Sequence, residues 1–180
     1  MKNKSEEEVI LVDAEDRKMG IMDKMEAHEK GVLHRAFSVF IFNSNGHWLL
    51  QQRAPHKYHS PGLWSNTCCS HPRDGESVID AGTRRLKEEM GMYCQLEPQF
   101  QFIYRCQLPN GLIEHELDHV LLGYSDMPPQ LNAEEVADFR YVTTSELEQE
   151  MQAHPERFTV WFKLCFLQVQ NRLRELERLR

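Results

Sequence analysis

Nothing in these 180 residues offers a membrane span or a leader: no apolar run approaches the roughly 20 residues a transmembrane helix needs, and the opening MKNKSEEEVILVD has no apolar stretch. Cysteine is scarce and placed against pairing. There are five, none in a Cys-x-x-Cys pair, and Cys68 and Cys69 are adjacent, so neither a disulfide framework nor a zinc ribbon fits and reduced thiols are expected. Positive charge is the minority sign, 21 Lys and Arg against 28 Asp and Glu, and a net charge of −7 argues against a nucleic-acid partner. A small phosphorylated molecule needs only a local cluster of cations and stays open as a ligand. These absences predict a soluble, cytoplasmic monomer without membrane contacts. At 41% hydrophobic residues the chain fills one core and is too short for two, so one domain over residues 1–180 is expected. What is abundant is histidine, nine residues, the first hint of a metal.

Residues 8–12 (EVILV) read as a short edge strand and 23–30 (DKMEAHEK) as a polar, partly helical segment. Residues 34–42 (HRAFSVFIF) and 48–53 (WLLQQR) flank the turn Asn43-Ser44-Asn45-Gly46 and read as a hairpin. From Ala54 to Gly75 prolines and glycines recur without a period, predicting a long irregular loop of the kind that usually carries function. Ser77 to Met90 follows a helix-start pattern with Ile79, Gly82, Leu86 and Met90 at helical spacing, and Gly91 closes it. Residues 100–107 and 113–124 form a second hairpin about Pro109-Asn110-Gly111, 136–142 a further strand, and Thr143 or Thr144 caps a short helix. A long terminal helix over 159–180 carries Phe162, Phe166, Val169 and Leu173 on one stripe, with Trp161 and Cys165 beside it. The order implies a mixed sheet covered on both faces, with a core over roughly 30–160.

Chemistry concentrates in a few places. Strand residues two apart share a face, so Glu114 and Glu116 in IEHELDHVLL point one way and His115 and His119 the other. Two carboxylates on one face of an otherwise apolar strand repel; a divalent cation offsets that, although a solvated face is the plainer reading. His28 and His34 flank the start of the first core strand and His71 lies in the long loop. Each alone is more often a surface or satisfied core histidine; with the two glutamates they could make a five-ligand set suited to manganese or zinc, which spacing alone could not assemble. His47, His56, His59, His115, His119 and His154 are unassigned. In the helix, Arg84–Glu88 and Arg85–Glu89 are ordinary four-apart ion pairs, or Glu88 and Glu89 are carboxylates aimed at magnesium.

The segment from Gly75-Glu76 through Arg84-Arg85-Leu86-Lys87-Glu88-Glu89-Met90-Gly91 resembles the Nudix box, G-x5-E-x7-R-E-U-x-E-E-x-G-U with U aliphatic. Two positions depart: Ser70 stands for the first glycine and Arg85 for the first glutamate after the arginine, a carboxylate that Nudix hydrolases use to bind the magnesium that activates water. With HRAFSVFIFN, LLQQRAPHKYHSPGLWSNTCCSHP, GLIEHELDHV and FTVWFKL, nearly the whole chain is similar to the type 1 isopentenyl-diphosphate isomerase family, most specifically across Asn66–Pro72.

That resemblance implies an α/β Nudix fold, a mixed β-sheet sandwiched between helices, and isomerisation of a homoallylic to an allylic diphosphate. It places Mn2+ or Zn2+ on His28, His34, His71, Glu114 and Glu116, and Mg2+ on Glu89 and the Cys69 carbonyl. It assigns the diphosphate to Lys24, Arg53, Lys57 and Arg85, acid/base roles to Cys69 and Glu116 with Tyr104 assisting, and to Trp161 a ring face for a carbocation. The rivals are a Nudix hydrolase of a nucleoside diphosphate derivative and a non-catalytic Nudix-like module that binds a phosphorylated ligand.

Overall fold

The structure, a computed structural model, describes residues 8–179. The first residues of the expected leader-free N-terminus and the last residue of the expected terminal helix lie outside them. Strands β1 (Glu8–Val12), β2 (Lys18–Asp23), β3 (His34–Phe42), β4 (Trp48–Arg53), β5 (Trp64–Ser65), β6 (Cys68–Ser70), β7 (Leu96–Gln107), β8 (Ile113–Tyr124) and β9 (Val136–Val142) share one mixed sheet. Helices α1 (Lys24–Lys30), α2 (Val78–Met90), α3 (Thr144–Ala153) and α4 (Val160–Arg178) pack around it.

β3 is the hub. It runs parallel to β8, with His34 opposite Glu116 and Ser38 opposite Val120, and antiparallel to β6, with Ser38 opposite Cys69. Its hairpin with β4 holds for two pairs only, Ile41–Leu49 and Phe42–Trp48, after which β4 pairs with β5, while β9 pairs with β4 along its whole length. β1 is not the edge: β2 lies outside it. The supposed irregular loop 54–75 contains β5 and β6, and β7 begins at Leu96 rather than Phe100.

Two apolar clusters lie on opposite faces of this sheet. One joins Phe40, Trp48, Leu147, Phe162 and Phe166 beneath α3 and α4; the other joins Phe37, Ile41, Leu86, Met90 and Leu121 beneath α2. α2 starts where the Ser77 hydroxyl accepts from the Asp80 N–H, and ends at Gly91, whose φ of 62° is the left-handed cap a Cβ would strain. Its buried stripe is Ala81, Gly82, Leu86, Glu89 and Met90, while Ile79 is 40% exposed. Gly82 lets the helix approach β8, since a Cβ there would meet Leu121 at 2.7 Å. α3 carries a full capping box, Thr143 with Glu146. No described helix is long and apolar enough to cross a membrane.

Candidate metal centre and active site

Three elements deliver imidazoles to one carboxylate. α1 carries His28, the start of β3 carries His34, the end of β6 leads into His71, and all three Nε2 atoms converge on Glu116 Oε1, at 4.0, 3.5 and 3.0 Å. The four donor atoms lie within 4.8 Å of one another. His28 Nδ1 lies 2.6 Å from the Lys24 carbonyl and His34 Nδ1 2.8 Å from the Val32 carbonyl. A carbonyl only accepts, so the ring proton sits on Nδ1 and the bare Nε2 lone pair faces the centre. Both Nε2 atoms are buried without a hydrogen-bond partner. Lone pairs turned on a carboxylate oxygen in a buried site need a cation between them, so the donor set fits a divalent metal ion. Burial pushes His71 down to about 3, against the pull of Glu116, and lowers His28 as well, which keeps both rings neutral and ready to ligate.

Glu114, two residues earlier on the same face of β8, stands beside this group rather than in it. One oxygen lies 3.2 Å from the Tyr104 hydroxyl and accepts from the Cys106 thiol at 3.7 Å; the other lies 3.7 Å from His59 Nε2. Burial and the charge of Glu116 push Glu114 up to about 8, the repulsion expected of two carboxylates on one strand face. The Tyr104 hydroxyl donates to Glu116 Oε2 at 2.7 Å.

A cleft of about 70 Å3 joins Cys69, Tyr104, Glu114, Glu116, Trp161 and Arg53. Burial pushes the Cys69 thiol up to about 12 and holds the Tyr104 phenol well above its usual range, so both carry protons at neutral pH. Asn66 sets the walls: its amide donates to the Val39 and Cys68 carbonyls and its oxygen accepts from the Trp161 indole at 3.2 Å. The Arg53 guanidinium already lies 5.3 Å from the centre of the Trp161 ring.

The cleft continues into a wider groove of about 560 Å3 whose walls include Lys24, Lys57, Arg73, Arg84 and Arg85. Arg85 donates to Glu88 at 2.8 Å and Glu89 at 2.6 Å and lies 3.2 Å from Glu135, to which Lys57 is also ion-paired. Burial and the charge of Lys57 lower the Lys24 ammonium to about 8. Glu89, which also accepts from Gln51 at 2.8 Å, lines the cleft; Glu88 is exposed and paired with Arg84 and Arg85, so only one of the two helix carboxylates faces the site. Both four-apart ion pairs form as spaced.

The structure thus gathers His28, His34, His71 and Glu116 into one group, sets Glu114, Tyr104, Cys69, Trp161 and Arg53 against it, and puts Lys24, Lys57, Arg85 and Glu89 along the same cleft. Sequence reasoning assigned no role to His59, Tyr58, Ser38 or Gln51, which also meet here: His59 and Tyr58 lie in an aperiodic loop, and Ser38 and Gln51 sit in strands whose pattern says nothing of chemistry.

The family model for the NUDIX domain matches residues 32–162. The chain is 56% identical over 162 residues to an isopentenyl-diphosphate Delta-isomerase of Pectobacterium atrosepticum, covering 90% of each chain. It is 46% identical over 178 residues to one of Aliivibrio fischeri, covering 94% of this chain and 98% of that one. Among solved structures, a Deinococcus radiodurans protein superposes with a TM-score of 0.68 over 82% of this chain and 90% of the other, and a MutT protein of Methanosarcina mazei with 0.61 over 79% and 94%. Both are 19% identical and show the fold alone.

Proposed function

This chain belongs to the isopentenyl-diphosphate Delta-isomerases of the NUDIX family, and from that premise we propose that it converts isopentenyl diphosphate to dimethylallyl diphosphate with Cys69 and Glu116 as its two acid/base groups. The observation that carries the assignment is the meeting, in one narrow cleft, of a protonated thiol and a phenol-bridged carboxylate, with Lys24, Lys57 and Arg85 along the groove that leads in. His28, His34, His71 and Glu116, joined by Glu114 after a turn of its side chain, would hold a manganese or zinc ion. Glu89 and the Cys69 carbonyl would hold a magnesium ion that arrives with the substrate. When bound, such ions supply positive charge that neutralises the paired carboxylates and the diphosphate.

The remaining work falls to side chains. Arg53, Lys24, Lys57 and Arg85 bind the diphosphate, with Arg85 and Lys57 exchanging Glu135 for phosphate oxygens. Addition of one proton to the terminal methylene leaves positive charge at the tertiary carbon, and removal of one from the adjacent methylene forms the internal double bond, so the formula is unchanged. Cys69 and the Glu116–Tyr104 pair each hold a proton in one half of that exchange and exchange roles in the reverse direction. Substrate filling the narrow cleft would displace the water that could trap the cation, and the face of Trp161 stabilises it.

A hydrolase is less well supported, because Arg85 stands where the water-activating ligand would be needed. The test is incubation with isopentenyl diphosphate and magnesium in deuterium oxide, followed by NMR. Deuterated dimethylallyl diphosphate without phosphate release is expected. Phosphate release from nucleoside diphosphate derivatives with no alkene shift would sink the isomerase reading.

A further inference from the structure

His59 stands at the rim of the metal group without belonging to it. Its side chain is 9% exposed and fixed on several sides: the ring meets Trp161 edge to face at 5.6 Å between centres and Tyr58 at 4.3 Å, and its carbonyl accepts from Arg53 Nη2 at 3.1 Å. The packing leaves one polar direction open. Nδ1 is buried without a hydrogen-bond partner, whereas Nε2 faces Glu114 Oε1 at 3.7 Å. A neutral imidazole has a single N–H, and only at Nε2 does an acceptor await it.

We propose that His59 is a positioning residue for the metal site, anchoring one oxygen of Glu114 through Nε2–H so that the other is presented towards Glu116 and the three ligand histidines. The anchored oxygen is the one away from Tyr104, since Tyr104 and Cys106 both contact Oε2. A carboxylate shift of about 0.7 Å brings the His59 contact to an ordinary hydrogen-bond length of about 3.0 Å. His59 touches neither metal nor substrate in this role. It removes rotational freedom from a ligand that the structure leaves outside the four-atom group, the service that hydrogen-bond partners of metal ligands perform generally. The inference rests on the metal reading of that group.

A wall residue that only packs against Trp161 predicts the opposite mutational order. His59→Phe keeps the ring and loses the donor; His59→Gln loses the ring and keeps an N–H at similar reach. Wild type and both variants, stripped with a chelator, are titrated with Mn2+ in competition with a chromophoric chelator, and the thermal midpoints of the stripped forms are recorded beside the affinities. Wild type should bind one tight ion per chain. His59→Phe should bind about 10–100-fold more weakly at an undiminished thermal midpoint, and His59→Gln should stay close to wild type. In a Glu114→Gln background the two His59 variants should bind alike. Wild-type affinity in His59→Phe, or a His59→Gln variant as weak as the phenylalanine one, overturns the proposal. A wild-type protein that binds no ion would instead overturn the metal reading itself.

Discussion

Glu89 of α2 and Glu114 and Glu116 of β8 line the same cleft, and the acidic groups of the two elements are satisfied in different ways. At α2 and just before it each acidic group near the site has a cation at hand: Glu76, ahead of the Ser77 cap, accepts from Arg84, Glu88 from Arg85, and Glu89 from Arg85 as well as from the Gln51 amide. On β8 two carboxylates share one phenol, and the nearest nitrogens of His28 and His34 are unpartnered. The helix is therefore complete as folded, and substrate has only to exchange one set of ion pairs for another. The strand's group is one that a cation would complete.

The largest effect that could break this contrast comes from Glu116, proposed above as ligand and acid/base group together. Glu116→Gln should lower turnover by about 10²–10⁴-fold and release the tightly held metal, while Glu88→Gln on α2 leaves both nearly unchanged. Equal losses from the two, measured by steady-state kinetics and metal analysis, would erase the distinction. Arg85→Ala comes next. Loss of charge-assisted bonds worth about 1.5–3 kcal/mol should raise KM for the diphosphate roughly 10–100-fold, with the metal retained. A fall in kcat at constant KM would move Arg85 from binding to chemistry.

A smaller effect sharpens the comparison thermodynamically. An ion present at a hundred times its dissociation constant adds about 2.7 kcal/mol to stability, or roughly 5–10 °C in thermal midpoint for a chain of this size. Chelation should lower the midpoint by that amount in wild type and leave it unmoved in His34→Ala; a wild-type midpoint indifferent to chelator would mean the strand needs no ion. Smallest of all is Arg84→Ala, which removes the half-buried pair with Glu76 and the longer contact with Glu88. It should cost about 1 kcal/mol, read from denaturant midpoints, and leave metal content unchanged.

How much of this was legible beforehand follows the same division. β3, β4, β8 and β9 begin and end where the alternation of side chains places them, and the caps of α2 and α3 are written in Ser77, Gly91 and Thr143. β2 was missed because KMGIMD has a glycine within it, charges at both ends and a mostly exposed surface, so burial left no period to read. β5 and β6 are two and three residues long, too short for any period. At the site, a spacing of two sufficed to put Glu114 and Glu116 on one face. The histidines had no such rule, since what brings His34 opposite Glu116 is a parallel pairing of distant strands that no local pattern announces. Residue type alone raised their grouping as a possibility, no spacing could assemble it, and the family resemblance singled out the same set; the role of His59, in an aperiodic loop, was not legible at all.

The parallel union of β3 with β8 also has a kinetic consequence. Ser38 and Asp118, joined across it by a 2.8 Å hydrogen bond, are 80 residues apart in the chain, and the His71–Glu116 contact spans 45. Closing loops of that length is paid for in chain entropy before any contact rewards it, which places this pairing among the slow events of folding. The group of His28, His34, His71 and Glu116 cannot form until that event is over, so an ion would meet only scattered imidazoles on the unfolded chain and would not template their assembly. Refolding should then proceed at the same rate with or without metal, the ion instead slowing the reverse reaction by locking together strands whose separation begins unfolding.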